Sequence, residues 1–394
     1  MPVELRPNGV LCNINCAYCY QNPQRQAGNV TKLYDIDLMK TALTAENRPF
    51  TLFGGEALTL PDQDLEELWS WGYDRFGSNS VQTNGILIRD EHIQMFRKYK
   101  VRVGISIDGP GELNDLRRVG SLEETRNATA KTEAAIERLC REGITPSLIV
   151  TLHRQNAAPA KLPSLLNWMR FIDSIGVTDV RLHILESESS AIRKAFALSN
   201  SENIAAFLQF AELEGSLRCV RFDIFREIRN LLIGKDRNVS CVWKGCDPYT
   251  TAAVTGIEGN GQRSNCGRTN KEGIDFVKAQ DVGFERYIAL HYTSQEHGGC
   301  SDCRFFLMCK GQCPGTAMDG DWRNRSEHCE VWKALFEASE IQLSAAGTPA
   351  ISTQPVLRES LEMQMIEAWA RGSNPSLESL LDLSPKQKVC QEAH

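Results

Sequence analysis

Three cysteines near the start of the chain are spaced as ligands of an iron–sulfur cluster. Cys12, Cys16 and Cys19 are separated by three and then two residues, and Tyr18 stands just before the last of them. Such clusters are held by cysteine thiolates and normally take four. Three thiolates from one tight loop leave one iron open, and an open position is what a catalytic metal needs. A zinc site completed by a distant fourth ligand is the alternative, which this spacing disfavours.

A second group of cysteines lies in the later part of the chain. Of the 14 cysteines, eight fall in this group, and they are Cys241, Cys246, Cys266, Cys300, Cys303, Cys309, Cys313 and Cys329. A disulfide framework is not expected, because the chain has no secretory signal and a reducing cytosol keeps thiols free. The pairs Cys300-x2-Cys303 and Cys309-x3-Cys313 also fit a zinc ribbon, and a ferredoxin-like electron carrier is a further alternative.

The overall composition excludes several classes of protein. The 394 residues carry a net charge of −6, with 42% hydrophobic and 24% charged residues. This balance is typical of a globular protein, and it lacks the basic footprint of a nucleic-acid-binding protein. No apolar run is long enough to span a membrane, and the N-terminus lacks the layout of a signal peptide. We therefore expect a cytoplasmic protein without a nucleic-acid or membrane partner.

The chemistry-bearing residues need a scaffold, and the apolar patterning predicts one of the α/β class. Short apolar runs predict strands at 3–6, 50–54, 79–83, 101–107, 146–152 and 179–185. Helical patterns lie at 35–45, 62–75, 89–99, 124–141, 161–175, 201–213, 331–343 and 356–371. Strands that alternate with helices predict a parallel sheet, here a partial (β/α)6 TIM-like barrel with its active site at the C-terminal strand ends. The predicted domains are the barrel at 1–200, a bridging region at 201–240, a cysteine-rich domain at 241–335 and a helical tail at 336–394.

Polar motifs stand at the ends of consecutive predicted strands. Gly54-Gly55-Glu56 ends the second strand, Gln82-Thr83-Asn84-Gly85 ends the third, and Ser106-Ile107-Asp108-Gly109 ends the fourth. Each motif alone is common in turns. Three such motifs in succession behind a cysteine loop are uncommon, and they predict a ligand pocket beside that loop.

These features together resemble the radical S-adenosylmethionine (SAM) superfamily, whose signature is CxxxCxΦC. The resemblance covers the predicted barrel. It implies that SAM binds the open iron and that its reductive cleavage releases a 5′-deoxyadenosyl radical. The cofactor-binding residues implied by position are Tyr18, Gly54, Gly55, Glu56, Gln82, Asn84, Ser106 and Asp108, with Arg118 or Arg126 for the methionine carboxylate.

The later cysteines resemble the SPASM extension of radical SAM enzymes that modify peptides. That extension carries two auxiliary [4Fe–4S] clusters, so the resemblance implies three clusters in all. Carried over by position, the first auxiliary cluster takes Cys241, Cys246, Cys266 and Cys313. The second takes Cys300, Cys303, Cys309 and Cys329. No cysteine of the group is left over.

The substrate implied by the resemblance is a ribosomally synthesised precursor peptide. Sulfatase-maturing relatives place an Asp base directly after the cysteine that corresponds to Cys266, but here Gly267 and Arg268 follow. The opening stretch CYQNPQR, with AGN after it, is similar to maturases of Nif11-type precursors, including spliceases that excise tyramine at a Tyr-Gly site and leave an α-keto-β-amino acid. Carbon–carbon or thioether crosslinking of a peptide and small-molecule radical chemistry are the alternatives.

The partners follow from the same resemblance. The cluster loop begins about a dozen residues into the chain, so we expect a separate protein to bind the leader of the precursor, and an external electron donor. No catalytic base or hydrogen donor is identifiable from the sequence. His153 and His183 lie near strand ends and are expected to be buried and hydrogen-bonded.

Overall fold

The computed structural model describes residues 3–26, 33–187, 189–247, 254–269 and 283–383, so AGN at 27–29 lies outside the described residues. The strands are β1 (Val3–Arg6), β2 (Asn15–Cys16), β3 (Phe50–Leu52), β4 (Asn79–Thr83), β5 (Val101–Ser106), β6 (Arg117–Arg118), β7 (Ser147–Leu152), β8 (Asp179–Ile184), β9 (Arg221–Phe222), β10 (Gly256–Glu258) and β11 (Arg263–Ser264). The helices are α1 (Asn22–Gln26), α2 (Ile36–Glu46), α3 (Asp62–Phe76), α4 (Asp90–Lys98), α5 (Leu122–Arg141), α6 (Arg154–Ala157), α7 (Leu162–Ser174), α8 (Ser190–Phe196), α9 (Asn200–Glu214), α10 (Asp223–Leu232), α11 (Glu285–Tyr292), α12 (Phe306–Cys309), α13 (Cys329–Ala345), α14 (Pro355–Ala370) and α15 (Leu377–Leu383).

The strands build one large sheet of the predicted kind. Within the described ranges its order is β11-β10-β1-β3-β4-β5-β7-β8-β9, and only the β10–β11 pair is antiparallel. The six predicted strands are β1, β3, β4, β5, β7 and β8, and helices connect successive members. The α/β fold with its parallel sheet is therefore confirmed.

Local sequence signals explain why the helices begin where they do. The Ser121 hydroxyl accepts a hydrogen bond from the backbone N–H of Glu124, whose carboxylate accepts one from the N–H of Ser121, and this capping box starts α5. Ser199 and Glu202 start α9 in the same way. Apolar residues recur at helical spacing on the core side, as Leu65, Leu68 and Trp69 do in α3. Across the part of the chain that the structure describes, no helix is both long and apolar enough to cross a lipid bilayer.

Five short strands were not predicted: β2 and β6 pair with each other, and β9, β10 and β11 extend the large sheet at both ends. β10 lies beside β1, with Glu4 opposite Gly256, and a buried ion pair of 3.1 Å joins Arg6 to Glu258. The glycine-rich string at 256–261 is therefore a strand and its turn. These strands are only two or three residues long, too short to show a period.

The chain divides into two compact units. The first unit comprises Met1–Arg226 and Pro248–Asp281 and contains the sheet. The second unit comprises Glu227–Asp247 and Val282–His394. This division differs from the predicted ranges, because β9, β10 and β11 join the first sheet. In the second unit the buried Trp243 packs edge-on against Trp332 and Phe336.

Candidate active site

The loop that carries Cys12, Cys16 and Cys19 is held by backbone pairing. Cys16 lies in β2 opposite Arg117 of β6, and the backbone N–H of Ala17 donates to the carbonyl of Leu116 at 2.8 Å. The N–H of Cys19 donates to the carbonyl of Cys16 at 3.2 Å, which folds the loop back on itself. The β2–β6 ribbon therefore fixes the position of the cysteine loop.

The glycines after β3 allow a second backbone contact with this loop. The N–H of Gly55 donates to the carbonyl of Gly9, and that of Glu56 donates to Leu11, both at 2.9 Å. A Cβ on Gly55 would lie only 1.9 Å from the Leu11 carbonyl oxygen, and one on Gly54 would lie 2.7 Å from that of Gly9. The glycines thus serve the close approach of the cysteine loop, a role that the sequence did not indicate.

The three thiols have the electrostatics of a site that needs a cation. Burial raises the pKa of Cys16 to about 12, Arg117 opposes this rise, and Cys19 and Cys12 add to it. Burial also raises the pKa of Cys12. Because each thiolate disfavours the others, a positive iron core is what would let all three ionise together. These residues fit the cluster that their spacing implies.

Asp108 is the buried centre of the contacts behind the loop. Its carboxylate accepts from the Tyr18 hydroxyl and from the Thr151 N–H at 3.0 Å, and it lies 3.1 Å from Arg117 and 3.4 Å from His153. A carboxylate has about four acceptor positions, so little capacity is left for a cofactor. Asp108 is therefore occupied by contacts with Tyr18 of the cysteine loop and Arg117 of β6.

The Glu56 carboxylate is also largely committed within the chain. It is 2% exposed and accepts from the N–H groups of Leu58 and Asn84 at 3.1 and 2.8 Å and from the Thr83 hydroxyl at 2.6 Å. Burial raises its pKa, and these donors oppose the rise. One of its acceptor positions remains for the predicted ammonium contact.

The other predicted residues at the strand ends do come together beside the loop. Asn84 donates from its side chain to Asn13 at 2.7 Å, and Asn13 lies between the first two cysteines. Gln82 donates to the Ser106 hydroxyl at 2.9 Å, which joins the ends of β4 and β5. Asn84 thus contacts the cysteine loop directly, whereas Gln82 and Ser106 contact each other.

The two arginines predicted for the methionine carboxylate are both exposed. Arg118 is exposed, with its backbone paired to Asn15. Arg126 is exposed and forms an ion pair of 3.1 Å with Asp115. Neither lines the cavity next to the cysteine loop.

That cavity has a volume of about 310 Å³ and is lined by Asn13, Ile86, Val119, Glu124, Asn127, Ala128 and Lys131. The volume is at the lower end of the range for small-molecule sites. Glu124 is committed to the helix cap through the N–H of Ser121 at 2.6 Å. Lys131 is the one cation among these lining residues, and sequence reasoning missed it because no motif contains it.

Cys266 lies in the first unit, near the end of the cysteine loop. The hydroxyl of Tyr20 is within electrostatic range of both Cys19 and Cys266, and the Tyr20 ring packs on Gly267. A Cβ at position 267 would lie 2.7 Å from a ring carbon of Tyr20. The side-chain position after Cys266 is therefore filled by this tyrosine.

Arg268, the next residue, contacts side chains that lie near the other end of the strand order. Its guanidinium lies 2.9 Å from the Glu186 carboxylate and 3.3 Å from Nδ1 of His183. His183 is in β8 and Arg268 follows β11, which lie near opposite ends of the strand order. Burial, and after it Arg268, lowers the pKa of His183 well below its usual value.

In the second unit, four cysteines surround one cavity. Cys300, Cys303, Cys309 and Cys329 all line it, and we call it the four-cysteine cavity. Burial raises the pKa of Cys300 to about 12, and Cys303 and Cys329 add to the rise. These four residues are the set that the resemblance to the SPASM extension assigns to one cluster, and the structure places all four in the wall of one cavity.

Of the other predicted set, Cys241, Cys246 and Cys313 belong to the second unit, and Cys266 belongs to the first. Cys246 is held through its backbone, since its carbonyl accepts from the Tyr287 hydroxyl at 2.6 Å. Cys246 and Cys313 are buried. The sharing of one cluster by these four residues stays a prediction.

Comparisons with known proteins agree with this architecture. Residues 9–161 match the Radical SAM superfamily. A serine-type anaerobic sulfatase-maturating enzyme of Bacteroides thetaiotaomicron is 24% identical over 353 residues, which cover 79% of this chain and 82% of that protein. A cysteine-type anaerobic sulfatase-maturating enzyme of Clostridium perfringens is 30% identical over 363 residues, covering 84% and 94% of the two chains.

Solved structures show the same fold. Native anSMEcpe with bound AdoMet and the Cp18Cys peptide superimposes with a TM-score of 0.65 at 16% identity, over 88% of this chain and 99% of that one. Streptococcus suis SuiB bound to S-adenosylmethionine gives a TM-score of 0.55 at 11% identity, over 84% and 77%. With the identity to the Clostridium enzyme, these findings establish that the chain is an enzyme of the radical SAM/SPASM maturase family, which includes the anaerobic sulfatase-maturating enzymes.

Proposed function

We propose that the enzyme modifies a ribosomally synthesised precursor peptide, and that the modification is excision of tyramine at a Tyr-Gly site. The observation that supports a peptide substrate is the kinship, over most of the chain, with enzymes named for maturing a sulfatase. Tyramine excision is supported by the similarity of the stretch CYQNPQR, which begins at Cys19, to Nif11-type maturases. Peptide crosslinking is the runner-up, because it needs the same radical and the same auxiliary domain.

Oxidation of a sulfatase side chain is disfavoured by the residue after Cys266. Removal of a proton there needs a base within hydrogen-bond reach of the reacting group. Gly267 has no side chain, and the ring of Tyr20 occupies the space that a side chain would need. Arg268, the next residue, is a cation paired with Glu186 and is no base.

We assign Cys12, Cys16 and Cys19 as ligands of the SAM-cleaving cluster. When bound, this cluster and SAM supply the 5′-deoxyadenosyl radical, and the chain positions them. Asp108 contacts Tyr18 of the loop and Arg117 of β6. The backbone N–H of Gly55 donates to Gly9, which precedes the loop. An external donor supplies the electrons. The two later cysteine sets proposed from the sequence would hold the auxiliary clusters.

Lys131 is the proposed partner of the SAM carboxylate. It lines the cavity that includes Asn13 of the cysteine loop, whereas Arg126 is paired with Asp115. Loss of one ion pair in a partly solvated site costs about 1–2 kcal/mol, so K131Q should weaken SAM binding by about five- to thirtyfold. R126Q and R118Q are the matched comparisons. If SAM binding weakens in R126Q or R118Q and is unchanged in K131Q, the partner of the carboxylate is one of the arginines predicted from the sequence.

The deciding experiment is mass spectrometry of a precursor peptide after reaction. The reconstituted enzyme is incubated with the peptide, SAM and a reductant, with and without a leader-binding protein. A mass loss equal to tyramine supports excision. Loss of two hydrogens indicates a crosslink, and conversion of a sulfatase-derived peptide instead would overturn the proposed substrate.

A further inference from the structure

The four-cysteine cavity has positive charges in its wall. Arg325 and Lys333 line it together with the aromatic rings of Phe305, Trp332 and Phe336. Among the described residues that line this cavity there is no aspartate or glutamate. Cations that face thiols in a largely apolar cavity need a negative partner.

Arg325 is held rigidly and has a donor without an acceptor. Its Nη1 donates to the carbonyls of Gln295 and Gly299, the latter at 2.8 Å, and its own backbone N–H donates to Gly298 at 2.8 Å. Its Nε is buried and has no hydrogen-bond partner among the described residues. A buried N–H without an acceptor is costly, so an acceptor is expected beside it.

Two more cations reinforce this charge. Arg286 is 1% exposed and donates to backbone carbonyls, including those of Gln312 at 3.1 Å and Asn324 at 3.0 Å. Lys333 donates to the side-chain oxygen of Gln295 at 2.5 Å. In the described part of the chain the partners of both are neutral oxygens, so their charges are not cancelled by a carboxylate.

These cations lie beside the four thiols. Arg325 and Lys333 line the same cavity as Cys300, Cys303, Cys309 and Cys329. Cations at that position would favour added negative charge on whatever the thiolates hold.

We propose that Arg325, with Lys333 and Arg286, is the counter-charge of the cluster in the four-cysteine cavity and raises its reduction potential. This inference rests on the proposed auxiliary clusters. A four-iron cluster with four thiolates is an anion whose negative charge grows on reduction, so nearby cations favour the reduced form. The free Nε–H of Arg325 supplies a donor to a sulfur atom, which acts in the same direction.

The test is an electron paramagnetic resonance redox titration of the full-length, reconstituted enzyme. R325Q should shift the midpoint potential of one cluster downward and leave the other two unchanged. R325K keeps the charge and should recover most of the shift. Arg371 is exposed and pairs with Glu367, so R371Q is a control that should leave all the potentials unchanged.

K333Q guards against a folding defect in R325Q, because Lys333 makes only a side-chain contact with Gln295. It should shift the same cluster downward. Unchanged potentials in K333Q and in every R325 variant that assembles its clusters would overturn the inference. An enzyme that holds about four irons instead of about twelve would instead overturn the proposed auxiliary clusters.

Discussion

Replacing Asp108 with asparagine removes the charge that balances a buried arginine behind the cysteine loop. The Asp108 carboxylate is fully buried, lies 3.1 Å from Arg117 and accepts from the Tyr18 hydroxyl. Asparagine keeps the shape of the side chain but leaves the Arg117 charge without a partner. Breaking a buried ion pair in this way costs about 3–5 kcal/mol of folding free energy.

The pKa of Asp108 gives a second value for the folding free energy that this carboxylate contributes. Burial raises it, but Arg117, His153 and Tyr18 outweigh burial and hold it at about 2, below its ordinary value of 3.8. That difference corresponds to about 2 kcal/mol of stability at neutral pH. Because the pKa is lower in the folded state, this stability is present above pH 4 or so. It is lost as the pH falls through about 2.

Chemical denaturation followed by tryptophan fluorescence measures the change. We expect D108N to lose about 2–5 kcal/mol of unfolding free energy and D115N, which alters the exposed pair with Arg126, to remain near the parent. The motif at 106–109 alone predicted a cofactor contact for Asp108. A D108N enzyme within about 0.5 kcal/mol of the parent, with SAM binding weakened, would refute the role that the structure gives this residue.

Three further changes test other parts of the first unit. Gly55→Ala places a methyl group against the Leu11 carbonyl, and we expect a loss of about 1–3 kcal/mol and less iron in the cysteine loop. Asp173→Ala leaves the N–H groups of 218–220 without their acceptor, so hydrogen exchange there should accelerate. Arg268→Gln removes a positive neighbour of His183, so NMR titration should show a higher pKa for that imidazole.

Each of these has a control or a contradicting outcome. Gly215→Ala adds a methyl group at an ordinary 3.4 Å from the nearest atom, so it should leave stability and iron content unchanged. Equal iron in the Gly55 and Gly215 variants would contradict the packing of the loop. Unchanged exchange at 218–220 would show that Asp173 does not hold β9. A His183 pKa that stays low without Arg268 would leave burial, Arg181 and Arg117 as its causes.

The fold was largely predictable because the six central strands and their helices carry a clear period. The observed strand β4 and the predicted one coincide at 79–83, and helix α5 begins two residues before its predicted start at 124. β10 was not predictable, since three residues show no period and its pairing with β1 joins positions about 250 residues apart. That same distant pairing places the segment before Cys266 in the first unit.

The site residues could be predicted where residue type and spacing suffice. They could not be predicted where the register of two paired strands decides which side chain faces the site. The three cysteines of the loop are recognisable from their spacing, the two later sets follow from the resemblance to the SPASM extension, and the four cysteines of one later set line one cavity. Arg117 and Arg118 are neighbours, and adjacent residues of a strand face opposite sides. The pairing of Cys16 with Arg117 turns that arginine toward Asp108 and leaves Arg118 exposed. Lys131 belongs to no motif, so only the cavity reveals it.

The most direct test of the central claim is the formation of 5′-deoxyadenosine by the reduced, reconstituted enzyme and its Cys16→Ala variant. We expect the parent to produce it from SAM, and to modify the precursor peptide in the same reaction. The variant should produce none while it keeps the iron of the second unit. Formation of 5′-deoxyadenosine by the variant at the parent's rate, or its absence from the parent, would contradict the account.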